Sequence, residues 1–299
     1  MKKIKMILDT DIGDDIDDAF ALAFSLSHPN LELVGVTTVF KHTVARAHQV
    51  SKLFDTLGIR DIPVCAGISN PIKEPIHYFD RDIKNEFGVV MPPQYEEAYS
   101  KYPISKEKAV DFIIRKAHEL KGELVLVPIG PLTNIATAIT QEPKLKGLIQ
   151  KIVLMGGWTT NPTPEWNILC DPEAADIVFK SGIPVFCVGL DVTLQCTLEK
   201  DYLDLVHHHP SPQSKLLSLW FHRWVEHFHF DKSVMHDPLA VATLVSDVCV
   251  FEKKKVSVDL IHKRGAILVD QEDGVLLNVA TKVDKEAFYR LFKETLFKA

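Results

Sequence analysis

The sequence predicts a single α/β domain spanning residues 1–299, with a mostly parallel, helix-flanked central sheet of the open, Rossmann-like kind. Three observations carry this. Short apolar, β-branched runs alternate with helical patterns through the first two thirds of the chain. The runs end in loops dense in Gly, Asp, Asn and Thr, where open parallel sheets place their ligands. At 299 residues and 46% hydrophobic content, the chain can bury a large core.

The elements follow in order. Ile4 to Leu8 is a strand-type run, and Ala19, Leu22, Ala23 and Leu26 then recur at helical spacing. Leu31 to Val39 predicts a strand, Thr43 to Leu57 a helix, and Pro63 to Ala66 a short strand. Ser105 to Leu120 predicts a helix, and the strand Glu123 to Ile129 carries an LVLVPI run apolar enough to be buried on both faces. Helix Leu132 to Thr140, strand Ile152 to Met155, helix Pro172 to Lys180 and strand Pro184 to Leu190 continue the alternation. Residues 70–102, rich in Pro, aromatic and charged side chains, lack sustained periodicity and are too long for a simple connection, so they are expected to form an active-site flap. Leu203 to Val234 predicts a helix, and its histidines (207, 208, 209, 222, 227, 229) are read as part of a packing face interleaved with aromatics rather than as a metal site. A hairpin is expected from Ala266 to Asp270 and Val275 to Ala280, then a closing helix from Lys285 to Phe297.

Composition narrows the function. A net charge of −6 with dispersed Lys and Arg offers no general attraction to nucleic acid or anionic membranes. No run approaches the ~18 apolar residues of a membrane span, and the opening MKKIKMILDTD meets charged residues too early for a secretory signal, so a cytoplasmic location is expected. The five cysteines are scattered without ligand spacing and read as buried, reduced thiols.

Six aspartates fall within ten positions: Asp9, Asp11, Asp14, Asp15, Asp17 and Asp18. Carboxylates this close repel unless a cation or strong donors compensate them, and hard cations such as Ca²⁺ or Mg²⁺ take oxygen ligands of this kind. The competing explanation is a solvated acidic loop in which Asp17 merely caps the helix. Four further segments carry chemistry: VPIGPLTNIA at 127–136, LMGG at 154–157, EWNILCDPEAA at 165–175 and HDPLAVA at 236–242.

With DTDIGDDIDDA at 9–19, these ordered motifs resemble the inosine-uridine type nucleoside hydrolases, the similarity running from the first strand to about residue 245. The resemblance implies calcium-dependent hydrolysis of the N-glycosidic bond of a small ribonucleoside substrate to ribose and free base, through a metal-activated water, in a homodimer or homotetramer. It implies Ca²⁺ held by Asp11, Asp18, Asp237 and the Ile129 carbonyl, with Asp11 also the base and His236 close to the leaving base. Asp17, Met155, Asn161, Glu165 and Asn167 would bind ribose. Lys41 and His42 stand where the family carries Gly-Asn, and His42 is the candidate at that substrate-facing position. The flap has Lys84 and Asn85 where the family has His-Gly. The chemistry agrees independently: loss of a base builds positive charge on the sugar, which nearby carboxylates stabilise more in the transition state than in the ground state.

Two residues more than usual separate Gly13 from the acidic pair, so Asp14 and Asp15 form an alternative register to Asp17 and Asp18; the latter are preferred because Ala19 starts a rigid helix directly after them. Two other functions compete. One is a catalytically idle nucleoside- or ribose-binding protein on the same scaffold. The other, less favoured, is a magnesium-dependent phosphatase of the haloacid dehalogenase type, whose site would need a phosphate-balancing Lys that the later motifs do not supply.

Overall fold

The computed structural model describes residues 2–79, 82–85, 88, 90–230 and 232–297. The chain opens with β1 (Ile4–Thr10), α1 (Asp17–Ser27), β2 (Leu31–Thr38), α2 (Thr43–Thr56) and β3 (Val64–Ala66). The long segment after it holds two short strands, β4 (Ile83–Lys84) and β5 (Val90–Met91), and a 3₁₀ turn at Glu97–Lys101. Then come α3 (Ala109–Leu120), β6 (Leu124–Pro128), α4 (Thr133–Gln141), α5 (Leu145–Leu148), β7 (Ile149–Met155), α6 (Trp166–Cys170), α7 (Pro172–Lys180), β8 (Val185–Val188) and α8 (Leu190–Thr193). The remainder is α9 (Lys200–His208), α10 (Pro212–Phe228), α11 (His236–Ala242), β9 (Cys249–Val258), β10 (Ile267–Val269), β11 (Val275–Val283) and α12 (Lys285–Leu296).

Nine strands form one sheet in the order β10-β9-β11-β8-β7-β6-β1-β2-β3, parallel from β3 to β11 with β9 and β10 antiparallel at one end. The period-2 geometry of the strands sorts their side chains into two cores. Met6, Leu8, Val125, Val127, Val153 and Met155 pack with α1, α10, α11 and α12 on one face. Ile7, Leu124, Leu126, Ile152 and Leu154 pack with α3, α4 and α7 on the other. Strand order runs outward in opposite directions from the β1–β6 pair, which makes the crevice at their carboxyl ends the switch point of the sheet.

The structure corrects two sequence expectations. The hairpin is absent: β10 and β11 both pair with β9, which lies between them. Strand β9 carries the Lys253–Lys255 run, whose charges mask its strand character. The helix expected over Leu203 to Val234 is two helices, divided at His209-Pro210-Ser211-Pro212. Proline excludes the preceding residue from helical geometry, Ser211 caps α10 by accepting the Ser214 amide at 3.1 Å, and Pro212 occupies its first turn. Three of this segment's histidines are spent locally: His207 Nδ1 meets Ser218 Oγ at 2.7 Å, and the Nδ1 atoms of His208 and His222 pair with carbonyls one turn earlier. All five cysteines are free and buried. No helix among the described residues is long and apolar enough to cross a membrane.

Candidate active site

The acidic loop leaves β1 at the switch point and ends in α1, whose first two residues are Asp17 and Asp18. Five of the six aspartates at positions 9–18 are buried, for different reasons. Asp9 is structural: its Oδ1 accepts Thr37 Oγ1 at 2.6 Å and Asn134 Nδ2 at 2.7 Å, tying β1 to β2 and α4. Burial pushes the Asp9 carboxyl up to about 7 despite these donors. Asp11 points toward Gly130, where a Cβ would lie 2.6 Å from Asp11 Oδ1; only glycine leaves room for that carboxylate. Burial also raises Asp11 to about 7, against the opposing pull of Arg46.

Asp14 is neutralised. Its Oδ2 accepts Arg46 Nη2 at 2.9 Å and Lys41 Nζ at 3.2 Å, all three side chains being almost fully buried. Burial works against its charge, but the two cations outweigh it and hold Asp14 below the usual carboxylate range. Arg46 also donates to the carbonyls of Phe40, Asp11 and Ile12, so one guanidinium sets the path of the loop. Gln94 fastens the loop from outside through the carbonyls of Asp14 and Asp15. Asp15 is exposed and accepts the Ile16 amide at 2.7 Å. With Asp14 engaged in this way, the geometry disfavours Asp14 and Asp15 as the working pair.

Asp17, Asp18 and Asp237 converge. Oxygens of these three buried carboxylates lie within 4.8 Å of one another, the one such acidic group found among the described residues. Among the described residues they receive only neutral donors: the Asp237 amide reaches Asp17 Oδ2 at 3.1 Å, and Thr10 Oγ1 donates to Asp18 Oδ1. Burial first, and neighbouring carboxylates second, push all three well above the ordinary range. A buried acidic trio without a cationic partner either keeps protons or takes a hard cation with oxygen ligands, and the donor chemistry fits the second. The Ile129 carbonyl lines the same cavity. It accepts Asn167 Nδ2 at 2.9 Å, which leaves it a second lone pair.

The cavity above the trio is lined by Asp11, Ile129, Met155, Glu165, Asn167, His236, Phe79, Trp166 and Leu190, among others. Glu165 caps α6 through the amides of Asn167 and Ile168 and also accepts the Gly157 amide at 3.0 Å; this makes it a rigid acidic edge. Phe79 stacks on Trp166 with centroids 4.2 Å apart and planes inclined by 16°. His236 pairs through Nδ1 with Thr193 Oγ1 at 2.7 Å, and burial pushes its imidazole down to about 4.

Most sequence candidates therefore meet in one place, with two exceptions. Asp17, expected on ribose, converges with Asp18 and Asp237, and Asp11, expected on the metal, lines the same cavity beside them, close enough for its charge to raise Asp18 and Asp237. Asn161 does not line the cavity. Its Oδ1 accepts the Thr163 amide at 2.9 Å, closing a local turn. His42 does not line it either: it caps α2 by accepting the Ala45 amide, and it borders a neighbouring cavity. Arg46, Phe79 and Trp166 escaped the sequence reading. A signal existed for Arg46, which shares the buried face of α2 with Thr43, Val50 and Leu53, where a charge demands a buried partner.

The chain is similar to known proteins along most of its length. The family model described as inosine-uridine preferring nucleoside hydrolase matches residues 6–290. Uridine nucleosidase 1 of Arabidopsis thaliana is 34% identical over 275 residues, covering 86% of this chain and 79% of that one. The pyrimidine-specific ribonucleoside hydrolase RihA of Shewanella oneidensis is 35% identical over 254 residues, covering 80% and 77%. Among solved structures, a purine-preferring ribonucleoside hydrolase from Gardnerella vaginalis superposes with a TM-score of 0.83 at 32% identity, covering 98% of both chains.

Proposed function

The chain belongs to the inosine-uridine preferring nucleoside hydrolase family, and from that premise we propose that it hydrolyses the N-glycosidic bond of ribonucleosides to ribose and free base, with Ca²⁺ as its metal. The observation that carries this reading is the buried, uncompensated trio of Asp17, Asp18 and Asp237 beside a cavity with an acidic edge and an aromatic wall.

Asp17, Asp18, Asp237 and the Ile129 carbonyl would hold the cation, which when bound supplies the charge that orients a water and the sugar hydroxyls. Asp11, at the rim of the trio, takes the proton of that water as its oxygen forms the new bond to C1′. The C1′–N bond breaks and its electron pair leaves with the base. Positive charge develops on the ribose ring meanwhile, and Asp11 and Glu165 face that charge from fixed positions. Asn167 and Met155 line the sugar end, their mutual contacts holding the Asn167 amide in place. His236 stands where it can donate to the departing base. Phe79 and Trp166 offer a flat apolar surface to the base itself. The segment 70–102 is read as the flap because it delivers Phe79 to the cavity, although residues 80, 81, 86, 87 and 89 lie outside the described residues.

The test is release of reducing sugar from a panel of purine and pyrimidine ribonucleosides, before and after chelation and with Ca²⁺ restored. Release that is lost with chelator and recovered with Ca²⁺ is expected. Binding without release would instead point to a nucleoside-binding protein. We further infer a cytoplasmic homodimer or homotetramer, the assembly being checked by light scattering of the purified protein.

A further inference from the structure

We propose that Lys41 is a positioning residue for the substrate cavity, tying the acidic loop to Phe79 and fixing that ring as the wall against which the base packs. The backbone supplies the first observation. Phe40 and Lys41 have φ values of +66° and +52°, two successive side-chain-bearing residues in the left-handed region that favours glycine. The turn is held there: the amides of Phe40 and Lys41 donate to the carbonyls of Ile68 and Ser69 at 2.9 Å each, and Arg46 Nε holds the Phe40 carbonyl. A lysine kept where glycine would be less strained is informative only if its side chain does something a glycine cannot.

That side chain is almost fully buried and makes two ion pairs. Lys41 Nζ lies 3.2 Å from Asp14 Oδ2 and 2.9 Å from Asp82 Oδ2. Asp14 already has Arg46 as a cationic partner, so Lys41 is the added link to Asp82. The same Asp82 oxygen accepts the Phe79 amide at 3.0 Å, and the Asp82 amide returns to the Phe79 carbonyl at 3.1 Å. The ammonium also sits 4.8 Å from the centroid of the Phe79 ring. Backbone and ring of Phe79 are thus both held by groups that converge on one nitrogen, while the ring stacks on Trp166 at the cavity edge. A wall set before substrate arrives lowers the ordering cost of binding an aromatic base.

This inference rests on the proposed nucleoside substrate, so its test has one arm that needs no turnover. Amide hydrogen exchange in residues 72–79 and 82–85 is measured for the wild type, Lys41→Gly, which also relieves the backbone, and Asp82→Asn, which spares the Asp14–Arg46 pair. Faster exchange in both variants, by roughly tenfold or more, is expected if the latch holds this segment. In the kinetic arm, both variants should raise KM for ribonucleosides by roughly tenfold, the larger part of the loss in kcat/KM. In a Phe79→Ala background, Lys41→Gly should add little further loss, because it acts through that ring. Unchanged exchange in both variants, or an undiminished effect of Lys41→Gly without Phe79, overturns the proposal. If the wild type releases no ribose, the nucleoside reading fails while the exchange arm still decides the latch. If Lys41→Gly does not fold, Asp82→Asn decides both arms.

Discussion

Arg46 Nη2 lies 2.9 Å from Asp14 Oδ2, joining the second turn's face of α2 to the middle of the acidic loop through a fully buried guanidinium. This pair separates two kinds of aspartate that the sequence runs together. Asp14 has its counterions built in and stays charged, whereas among the described residues no cation pairs with Asp17, Asp18 or Asp237. The same guanidinium holds the Asp11 and Ile12 carbonyls, so the charge that compensates Asp14 also aims Asp11.

Removing that guanidinium should therefore be costly to folding. Breaking a buried pair from one side strands the other charge, and such losses run to ~3–5 kcal/mol. Arg46→Met should lower the melting temperature strongly. Adding Asp14→Asn to it should recover part of the loss, since no buried carboxylate is then left alone. Thermal unfolding of the two single variants and the double variant checks this; strict additivity would mean that the pair contributes nothing as a pair.

Metal affinity and turnover should respond separately to the trio and to Asp11. Calorimetric titration of the chelated protein should show Asp18→Asn and Asp237→Asn losing more Ca²⁺ affinity than the ~10- to 100-fold that outer-shell partners commonly cost. Asp11→Ala should lower kcat by ~10²- to 10⁴-fold, the range typical of a lost general base. Cys196→Ala, at a buried thiol distant in role from the cavity, serves as the control and should remain within a few-fold of wild type. An Asp11→Ala enzyme as active as the wild type would remove Asp11 from the mechanism.

Much of the scaffold was legible because its signals are local. β1 and β2 announce themselves as short apolar runs and β6 as one buried on both faces, and α1 begins at the Asp17–Asp18 pair as its apolar spacing requires. β9 was not legible, since the three consecutive lysines Lys253–Lys255 break any apolar alternation, and pairing with two neighbours decides its conformation rather than its composition. The site was readable where one motif holds several groups, as in Glu165 with Asn167. It was unreadable where a group's role depends on a distant partner. Nothing near Arg46 in sequence says that it meets Asp14, and nothing near His42 says that its ring caps a helix. Phe79 acquires meaning only through Trp166, 87 positions later in the numbering.

The chelated protein should show an inverted pH response. Asp9 and Asp11 sit at about 7 in the folded, metal-free state, raised first by burial. Unfolded aspartate titrates near ~3.9, so between the two values the folded chain binds protons that the unfolded chain has released. Stability must then fall as pH rises from ~4 to about 7, by ~1.4 kcal/mol per pH unit for each such group. Asp14, held below the usual range, contributes with the opposite sign only as pH falls below ~3.9, and His236, pushed down to about 4, offsets one of the two carboxyls up to its ordinary ~6.5. Melting curves from pH 4.5 to 7.5 with chelator should slope downward, and excess Ca²⁺ should flatten them. A rising curve in chelator would show that these carboxylates are not held protonated.

His236 carries the last expectation, at the boundary between chemistry and scaffold. Its Nδ1 is 2.7 Å from Thr193 Oγ1, and burial keeps the imidazole neutral at neutral pH. A neutral ring has one donor and one acceptor, so in the tautomer whose Nδ1 accepts from the Thr193 hydroxyl the proton is on Nε2. His236 also lines the cavity with Leu190, and in the proposed reading its second nitrogen faces the leaving base. In this arrangement His236 assists departure by hydrogen bonding, and the benefit depends on how badly the leaving group needs a proton. His236→Ala should therefore slow hydrolysis of natural ribonucleosides strongly, yet hardly affect p-nitrophenyl riboside, whose leaving group is stable as an anion. Thr193→Val should produce a smaller loss with the same leaving-group dependence, because it frees the tautomer rather than removing the ring. Equal losses on both substrates would assign His236 to the structure of α11's first turn instead, since a packing defect cannot sense the basicity of what departs.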